Sequence, residues 1–272
     1  MINKLVKGIS EIQSKYQCFF IDLWGVIHDG IELYPEAIEV LENLNKLKKR
    51  FVLMSNAPRP SKSVQKYLLN LKMNEIFVKK VFTSGEAALE ILKNNIYGKK
   101  FYHLGPERDK DLLVGFETNN TILEKCEFIL CTGLFDNEKS SLEYYKKLLS
   151  KFNKTKMVCT NPDLVVHRGS QVEYCAGSVA KVFEQLGGSV IYVGKPYPDI
   201  YNFCKRKGEK VLVIGDNIRT DIKGANNMKF DSLFITQGIH KLEFEKSSIE
   251  NYDQILKRYK VETNYYQKKL TW

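Results

Sequence analysis

The segment VLVIGDNIRTD, residues 211–221, decides the fold. Four aliphatic residues lead into Gly215 and Asp216, and Asp221 follows five positions later. A short run that is apolar throughout predicts a strand buried on both faces of a parallel sheet. Three other apolar runs end in the same way, in CFFI-Asp22, FVLM-Ser55 and VIYVG-Lys195. Because ligands of open α/β sheets bind beyond the carboxyl ends of the strands, we expect these polar side chains to converge on one site.

Strand patterns alternate with helix patterns along most of the chain. Strands are predicted over Cys18–Leu23, Phe51–Met54, Phe128–Cys131, Lys156–Cys159, Val190–Val193, Val211–Ile214 and Ser232–Ile235. Helices are predicted over Pro35–Lys48, Lys62–Leu71, Glu86–Lys93, Lys139–Lys151, Val179–Leu186 and Asp199–Lys207. This alternation predicts an α/β fold, a Rossmann-like doubly wound parallel-sheet core with helices on both faces.

The positions of the four motifs predict how the chain is divided. Two motifs precede residue 60 and two follow residue 190, so the two ends are expected to build one core domain. We predict a core domain from residues 1–81 and 189–272, with an inserted α/β cap domain over residues 82–188. The segment Met1–Gln17 carries Leu5, Ile9, Ile12 and Tyr16 at helical spacing, which predicts an amphipathic helix packed on the core.

Composition narrows the class of protein. The 43% of apolar residues excludes a disordered chain, and no apolar run approaches the ~20 residues of a membrane span. Basic residues outnumber acidic ones by 42 to 32, which draws attention to anionic partners. Since 35 of the 42 are lysine, we favour a solvated surface over a nucleic-acid module, which stays an alternative. Neither nucleic acid nor a membrane is therefore expected as a partner.

Cysteine usage predicts the compartment. The six cysteines are far apart, form no Cys-x-x-Cys pair, and mostly lie in or beside apolar runs. This pattern predicts buried free thiols rather than disulfides or zinc ligands, and hence a reducing, cytoplasmic setting.

The strand-end residues together suggest phosphoryl transfer. Asp22 suits either a covalent nucleophile or a metal ligand, and Asp216 with Asp221 adds carboxylates of the kind that Mg²⁺ binds alongside phosphate oxygens. Lys195 brings a positive charge, and Ser55 offers a hydroxyl to an anion. Taken singly, each residue is also explained as a cap, a turn or a solvated loop residue.

These motifs resemble those of the haloacid dehalogenase superfamily, class IIA, the branch of the N-acetylglucosamine-operon-type nucleotide and sugar phosphatases. The resemblance covers nearly the whole chain. Its four motifs correspond to FFIDLWGVIHDG, LMSNAPRPS, VGKPYPDIY and VLVIGDNIRTDIKGA. Two further stretches are similar to the cap of that branch, TSGEAAL at Thr83–Leu89 and CTNPDLVVHRG at Cys159–Gly169.

The resemblance implies the roles of the catalytic residues. Asp22 would attack phosphorus and become an aspartyl phosphate. Ser55 and Lys195 would bind the phosphoryl oxygens, and Asp221 would orient Lys195 or a metal-bound water. Mg²⁺ would be held by Asp22, Asp216 and the backbone carbonyl of Trp24.

The resemblance also implies which residues contact the substrate, a small phosphorylated metabolite such as a sugar phosphate or a nucleotide. Three of them, Trp24 and Gly25 after the nucleophile and Asn56 after Ser55, would contact the phosphate through the backbone. In the cap, Asn161, Asp163 and Arg168 would face the leaving group. A homodimer formed through the cap is a further expectation at the level of the family.

One position departs from the family pattern. Phosphatases of this superfamily carry an Asp two residues after the nucleophile, which protonates the leaving group and activates water. Here that residue is Trp24, which cannot exchange protons. A general acid/base is worth about 10²–10⁴ in rate, so slow or specialised turnover is expected. The alternatives are proton donation by His28 or Asp29, a leaving group that needs no proton, and a protein that binds a phosphorylated ligand without turnover.

Overall fold

A computed structural model describes residues 4–138, 141–168, 171–248 and 251–272. Within these residues the chain divides into two compact units. The first unit comprises the described residues of 4–55, 67–82 and 195–272, and the second comprises those of 56–66 and 83–194. None of the helices in the described ranges combines the length and the apolar character that crossing a bilayer requires.

The strands form three sheets. In chain order they are β1 (Lys4–Leu5), β2 (Cys18–Asp22), β3 (Arg50–Ser55), β4 (Val81–Thr83), β5 (Phe101–Leu104), β6 (Phe128–Cys131), β7 (Lys156–Cys159), β8 (Val165–Arg168), β9 (Gln171–Tyr174), β10 (Val190–Tyr192), β11 (Val211–Gly215), β12 (Asp231–Ile235) and β13 (Tyr265–Gln267).

The helices fill the segments between strands. They are α1 (Pro35–Lys46), α2 (Ser61–Asn70), α3 (Glu75–Val78), α4 (Ser84–Lys93), α5 (Leu142–Leu149), α6 (Ala176–Gln185), α7 (Pro198–Cys204), α8 (Lys223–Met228), α9 (Lys241–Glu245) and α10 (Tyr252–Arg258). A single π-helical turn, Ile218–Ile222, precedes α8. The start of the helix predicted over Lys139–Lys151 lies outside the described residues.

A seven-stranded sheet organises the first unit, in the order β1-β13-β12-β11-β2-β3-β4. Its central strands β11, β2 and β3 are parallel, with Val211 opposite Cys18 and Asp22 opposite Met54. All five residues of β2 are buried, as expected of a parallel strand covered by helices on both faces. On α1, Ala37, Val40, Leu41 and Leu44 are buried and recur at the spacing that places them on one face. The predicted α/β fold is therefore confirmed.

The second unit contains a smaller parallel sheet, in the order β10-β7-β6-β5, and the antiparallel hairpin β8–β9. Its core is formed by residues from β6, β7 and α6, among them Ile129, Met157 and Phe183, each with no exposed surface.

Two expectations from the sequence differ from this arrangement. The strand predicted at Val190–Val193 was assigned to the core sheet, but β10 pairs with β7 in the second unit, with Val190 opposite Met157. The predicted N-terminal helix is instead β1 followed by two 3₁₀ turns, Ile9–Glu11 and Gln13–Lys15. Backbone pairing with the C-terminal segment replaces the helix, since Ile9 N donates to Thr271 O at 2.9 Å.

Candidate active site

Parallel strands bring three of the four motifs to one edge of the seven-stranded sheet. Asp22 is the last residue of β2, Ser55 is the last of β3, and Asp216 follows β11 directly. Because β2 is the neighbour of both β3 and β11, the carboxyl ends of the three strands lie side by side. The sequence prediction that these strand ends share one edge is correct for the first, second and fourth motifs.

Lys195 arrives by a different route. It follows β10 of the second unit and precedes α7, so it stands in a connecting turn and not at the end of a core strand. Its Nζ donates to Asp22 Oδ1 at 2.6 Å, to Asp221 Oδ1 at 2.7 Å and to the Met54 carbonyl at 3.3 Å. The ammonium is only 3% exposed, so these acceptors replace its hydration.

Three buried carboxylates cluster here, and two of them, Asp22 and Asp221, accept from this ammonium. Asp22, Asp216 and Asp221 each offer an oxygen atom within 4.8 Å of the others. Burial, followed by the neighbouring carboxylate of Asp221, raises the pKa of Asp22 above its ordinary range, and Lys195 opposes that shift. Three carboxylates and one ammonium carry a formal charge of about −2, which a divalent cation would neutralise. A set of oxygen donors with this charge fits Mg²⁺.

Backbone groups hold the carboxylates in place. Ile239 N donates to Asp216 Oδ2 at 2.7 Å, and Asn217 N donates to Asp221 Oδ2 at 3.1 Å. Sequence reasoning missed the Ile239 amide and the Met54 carbonyl, because the residue type does not reveal which main-chain groups make contacts. The glycine at position 238 was a hint of close packing beside Ile239, since a Cβ there would lie 2.0 Å from Asp216 Oδ2.

Gly25 is packed against the same carboxylate. Its φ is +79°, and a Cβ at this position would lie 2.2 Å from Asp216 Oδ2. Only glycine adopts this positive φ without strain and also leaves room for the carboxylate. Its amide donates to the His28 carbonyl at 2.8 Å, so the loop after β2 closes on itself instead of presenting this amide to a ligand.

Trp24 is held by aromatic neighbours. The side chain is half-buried, its ring centroid is 5.0 Å from that of His28, and its six-membered ring covers Gly30. His28 packs in turn on Tyr67, whose hydroxyl donates to Gly30 O at 2.7 Å. This packing fixes an uncharged side chain two residues after the predicted nucleophile.

Neither residue considered as a substitute proton donor is suited to that role. His28 is 2% exposed, its Nδ1 accepts from Gly30 N at 3.0 Å, and burial lowers its pKa to about 4. Its imidazole is therefore neutral at pH 7. Asp29 accepts the amides of Glu32 and Ile31 at 2.9 and 2.8 Å, which lowers its pKa and keeps it ionised.

The remaining predicted residues belong to the second unit. Asn56 is 4% exposed, and Gly194 packs between Asn56 Oδ1 and Pro162. Asn161 Oδ1 accepts the amide of Asp163 at 3.0 Å, which makes the Asn-Pro-Asp segment a turn closed by its own side chain. The structure thus brings Asn56 beside this turn. Arg168 ends β8, and its side chain, like Gly169, lies outside the described part of the chain.

Comparisons with known proteins agree with this architecture. Residues 19–119 match a family described as haloacid dehalogenase-like hydrolase, and residues 192–260 match one described as HAD-hydrolase-like. The 5′-nucleotidase YutF of Bacillus subtilis is 24% identical over 86% of this chain and 93% of its own. Dihydroxyacetone phosphatase of Corynebacterium glutamicum is also 24% identical, over 81% of each chain.

Solved structures extend the likeness to the whole chain. A haloacid dehalogenase-like hydrolase from Brucella suis is 27% identical, with a TM-score of 0.85 over 98% of this chain and all of its own. A p-nitrophenyl phosphatase from Archaeoglobus fulgidus shares the fold with a TM-score of 0.74 at 19% identity, over 93% of this chain and 96% of its own. The matches at both ends of the sequence and over the full fold agree with the four motifs, and this chain belongs to the haloacid dehalogenase superfamily of hydrolases.

Proposed function

We propose that the protein is a Mg²⁺-dependent phosphatase of small phosphorylated metabolites, sugar phosphates or nucleotides, that works through an aspartyl phosphate on Asp22. The contact that carries the proposal is Lys195 Nζ, which bridges Asp22 and Asp221 at 2.6 and 2.7 Å beside a third carboxylate. The relatives named as a 5′-nucleotidase and as dihydroxyacetone phosphatase support this substrate class.

Each residue has a stated role in the proposed reaction. A carboxylate oxygen of Asp22 forms a bond to phosphorus as the bond from phosphorus to the leaving-group oxygen breaks, and the electron pair stays on that oxygen. Water then attacks phosphorus, which releases inorganic phosphate and restores the Asp22 carboxylate. Lys195 and Ser55 neutralise and bind the phosphoryl oxygens, because charge neutralisation supplies most of the catalysis in such transfers.

The carboxylate cluster would hold the metal. Asp22 and Asp216 would bind Mg²⁺ together with the Trp24 carbonyl, and the ion would supply positive charge to the transferred phosphoryl group. We expect Mg²⁺ to raise the melting temperature of the wild type and to have little effect on Asp216→Asn, because only the folded state presents the site. Equal stabilisation of both proteins by Mg²⁺ would place the metal elsewhere.

The effect of Trp24 on the reaction rate should depend on the leaving group. Without an acid at this position, we propose that formation of the aspartyl phosphate is slow for leaving groups that must be protonated and faster for those that depart as stable anions. We expect Trp24→Asp to accelerate this first step with a sugar phosphate by about 10²- to 10⁴-fold, and to accelerate it much less with 4-nitrophenyl phosphate. Equal acceleration of the first step with both substrates would show that Trp24 acts in some other way.

A panel assay tests the proposal as a whole. Phosphate release from sugar phosphates and nucleotides is measured with and without Mg²⁺ for the wild type, Asp22→Asn and the matched control Asp29→Asn. We expect Mg²⁺-dependent release by the wild type and the control, and loss of at least about 10³-fold in Asp22→Asn. No release by the wild type, with no effect of Asp22→Asn, would reject the proposal.

The same panel addresses the second candidate function, a phospho-ligand-binding protein without turnover, which Trp24 favours. Mg²⁺-dependent binding without phosphate release would identify it. Asn161, Asp163 and Arg168 stay predicted substrate contacts, and the homodimer stays a prediction that light scattering can test.

A further inference from the structure

The net charge of the chain is concentrated on one edge of the seven-stranded sheet. Six segments lead into the amino ends of β2, β3, β4, β11, β12 and β13, and we call them together the basic edge. They are residues 13–18, 46–50, 72–80, 205–210, 229–231 and 259–264. By sequence they contain 14 basic and four acidic residues, whereas the remainder of the chain contains 28 of each. The whole formal charge of +10 therefore resides in the basic edge.

Hydrogen bonds join several of these segments into one surface. Lys49 Nζ donates to the carbonyls of Gln13 and Tyr16 at 3.0 and 2.8 Å, which ties the segment before β3 to the segment before β2. Arg50 Nε donates to Glu209 Oε1 at 2.6 Å, and Gln17 N donates to Lys210 O at 3.0 Å. These contacts add the segment before β11.

Most of this charge is not neutralised within the protein. Three of the four acidic residues pair inside the basic edge, Glu75 with Lys79, Glu209 with Arg50 and Asp231 with Lys210. Four other lysines are exposed and, among the described residues, have no ion pair within 4.0 Å. They are Lys46, Lys48, Lys205 and Lys207. The surface therefore presents unpaired positive charge to solvent.

Apolar side chains protrude between these lysines. Leu47, flanked by Lys46 and Lys48, is 49% exposed, and Ile76 is 54% exposed. The aromatic residues of the basic edge are in contrast buried or half-buried, so none stands out as a platform for base stacking. Lysine stems around protruding aliphatic residues suit the interface of an anionic bilayer, whereas nucleic-acid recognition relies more on arginine and exposed aromatic rings.

We propose that the basic edge binds peripherally to the surface of an anionic phospholipid bilayer. Its lysines would contact headgroup phosphates, and Leu47 and Ile76 would enter the headgroup layer. The carboxylate cluster lies at the opposite ends of the five-residue strands β2 and β11, roughly 17 Å away. Bilayer binding therefore takes place at the opposite ends of these strands from the candidate active site, and the proposal does not depend on the phosphatase activity. It differs from the sequence expectation that a membrane is not a partner, and the experiment below decides between the two.

Vesicle co-sedimentation tests this proposal with the full chain. The vesicles are phosphatidylcholine, with or without about one third phosphatidylserine. We expect the wild type to sediment with the anionic vesicles at low salt, to be released by half-molar salt, and to ignore the neutral vesicles. Two variants with four charge reversals give the same net charge. One carries Lys46→Glu, Lys48→Glu, Lys205→Glu and Lys207→Glu, and the other carries Lys146→Glu, Lys147→Glu, Lys151→Glu and Lys154→Glu on the exposed surface of the second unit.

Comparing the two charge variants shows whether vesicle binding depends on the lysines of the basic edge or on the net charge of the whole protein. We expect the basic-edge variant to lose at least about tenfold in vesicle affinity, and the control to keep most of it. Leu47→Ser should reduce binding severalfold, while Val114→Ser, at a residue 71% exposed in the second unit, should not. Equal loss in both charge variants, absence of wild-type binding at low salt, or binding to duplex DNA without binding to vesicles would each overturn the proposal.

Discussion

Single glycines make room for the carboxylate cluster. A Cβ at Gly25, Gly215 or Gly238 would lie about 2 Å from Asp216 or Asp221. Since real Cβ atoms do not approach other atoms so closely, these glycines determine where the carboxylates stand. The chemistry proposed at Asp22 therefore depends on residues that carry no reactive group.

Gly25→Ala tests this dependence. We expect it to lower Mg²⁺-dependent phosphate release by at least about tenfold, because the new methyl group displaces Asp216. Gly208→Ala is the matched control: φ is +81° there, against +79° at Gly25, and nothing lies within 4 Å of its Cβ. Both variants carry a backbone strain of about 1–2 kcal/mol, so a similar loss of activity in both would attribute the effect to strain.

A buried histidine sets a pH dependence of stability. His103 is 7% exposed, bonded to Thr132 Oγ1 at 2.9 Å, and burial lowers its pKa from 6.5 to about 4. The unfolded chain then binds the proton more tightly, so stability is retained above pH 6.5 and lost as the pH falls toward 4. The loss amounts to about 3 kcal/mol.

The corresponding measurement is urea denaturation of the wild type and His103→Gln at pH 7.5, 5.5 and 4.5. The variant cannot take up this proton, so its stability relative to the wild type should improve as the pH falls. Parallel curves for His103→Gln and the wild type would contradict the assignment.

Which side chains meet at the candidate active site was largely predictable from the sequence. Asp22 and Asp216 converge as the strand-end argument requires, because parallel strands align their carboxyl ends. Lys195 reaches the same carboxylates from the turn after β10, which the argument did not predict. The exclusion of His28 and Asp29 was not predictable, since it depends on which backbone amides their side chains accept.

Helix α4 anchors the loop that follows β3. The Thr83 hydroxyl accepts Glu86 N at 3.0 Å as the N-cap and donates to Arg59 O at 2.7 Å, and Ser84 Oγ donates to Ala57 O at 2.9 Å. Gly85 packs against the Arg59 backbone. These contacts explain why residues 56–66 belong to the second unit although the predicted cap began at residue 82.

Thr83→Val tests this anchor. The substitution keeps the shape but removes both hydrogen bonds at a residue with no exposed surface, which should destabilise the protein by about 2 kcal/mol. Thr83→Ser keeps the hydroxyl and should lie much closer to the wild type in the same urea titration. A loss in Thr83→Val no larger than that in Thr83→Ser would contradict the role of the hydroxyl as the anchor.

The elements that sequence reasoning found are those with a continuous apolar run. All seven predicted strands exist, but six others were missed. Of these, β5 (FYHL), β8 (VVHR) and β9 (QVEY) mix polar residues into four-residue strands, and β1, β4 and β13 have only two or three residues. The sheet to which β10 belongs was wrong because periodicity reports burial and not the pairing partner, which here is β7.

At the scale of the whole molecule, the candidate active site at the end of the core sheet has Trp24 where the family carries its acid/base Asp. Water activation should be slowed by the same change that removes the acid, so the proposed aspartyl phosphate should break down slowly. With a substrate whose leaving group needs no proton, the aspartyl phosphate should form quickly. Its hydrolysis should then be the slow step.

Rapid mixing of the wild type with Mg²⁺ and 4-nitrophenyl phosphate tests this central claim most directly. The account predicts a burst of about one nitrophenolate per active site before slow turnover, with phosphate covalently attached to Asp22 in the quenched protein. Trp24→Asp should remove the burst, and Asp22→Asn should give neither burst nor attached phosphate. Steady turnover by the wild type with no burst and no phosphate on Asp22 would contradict the account.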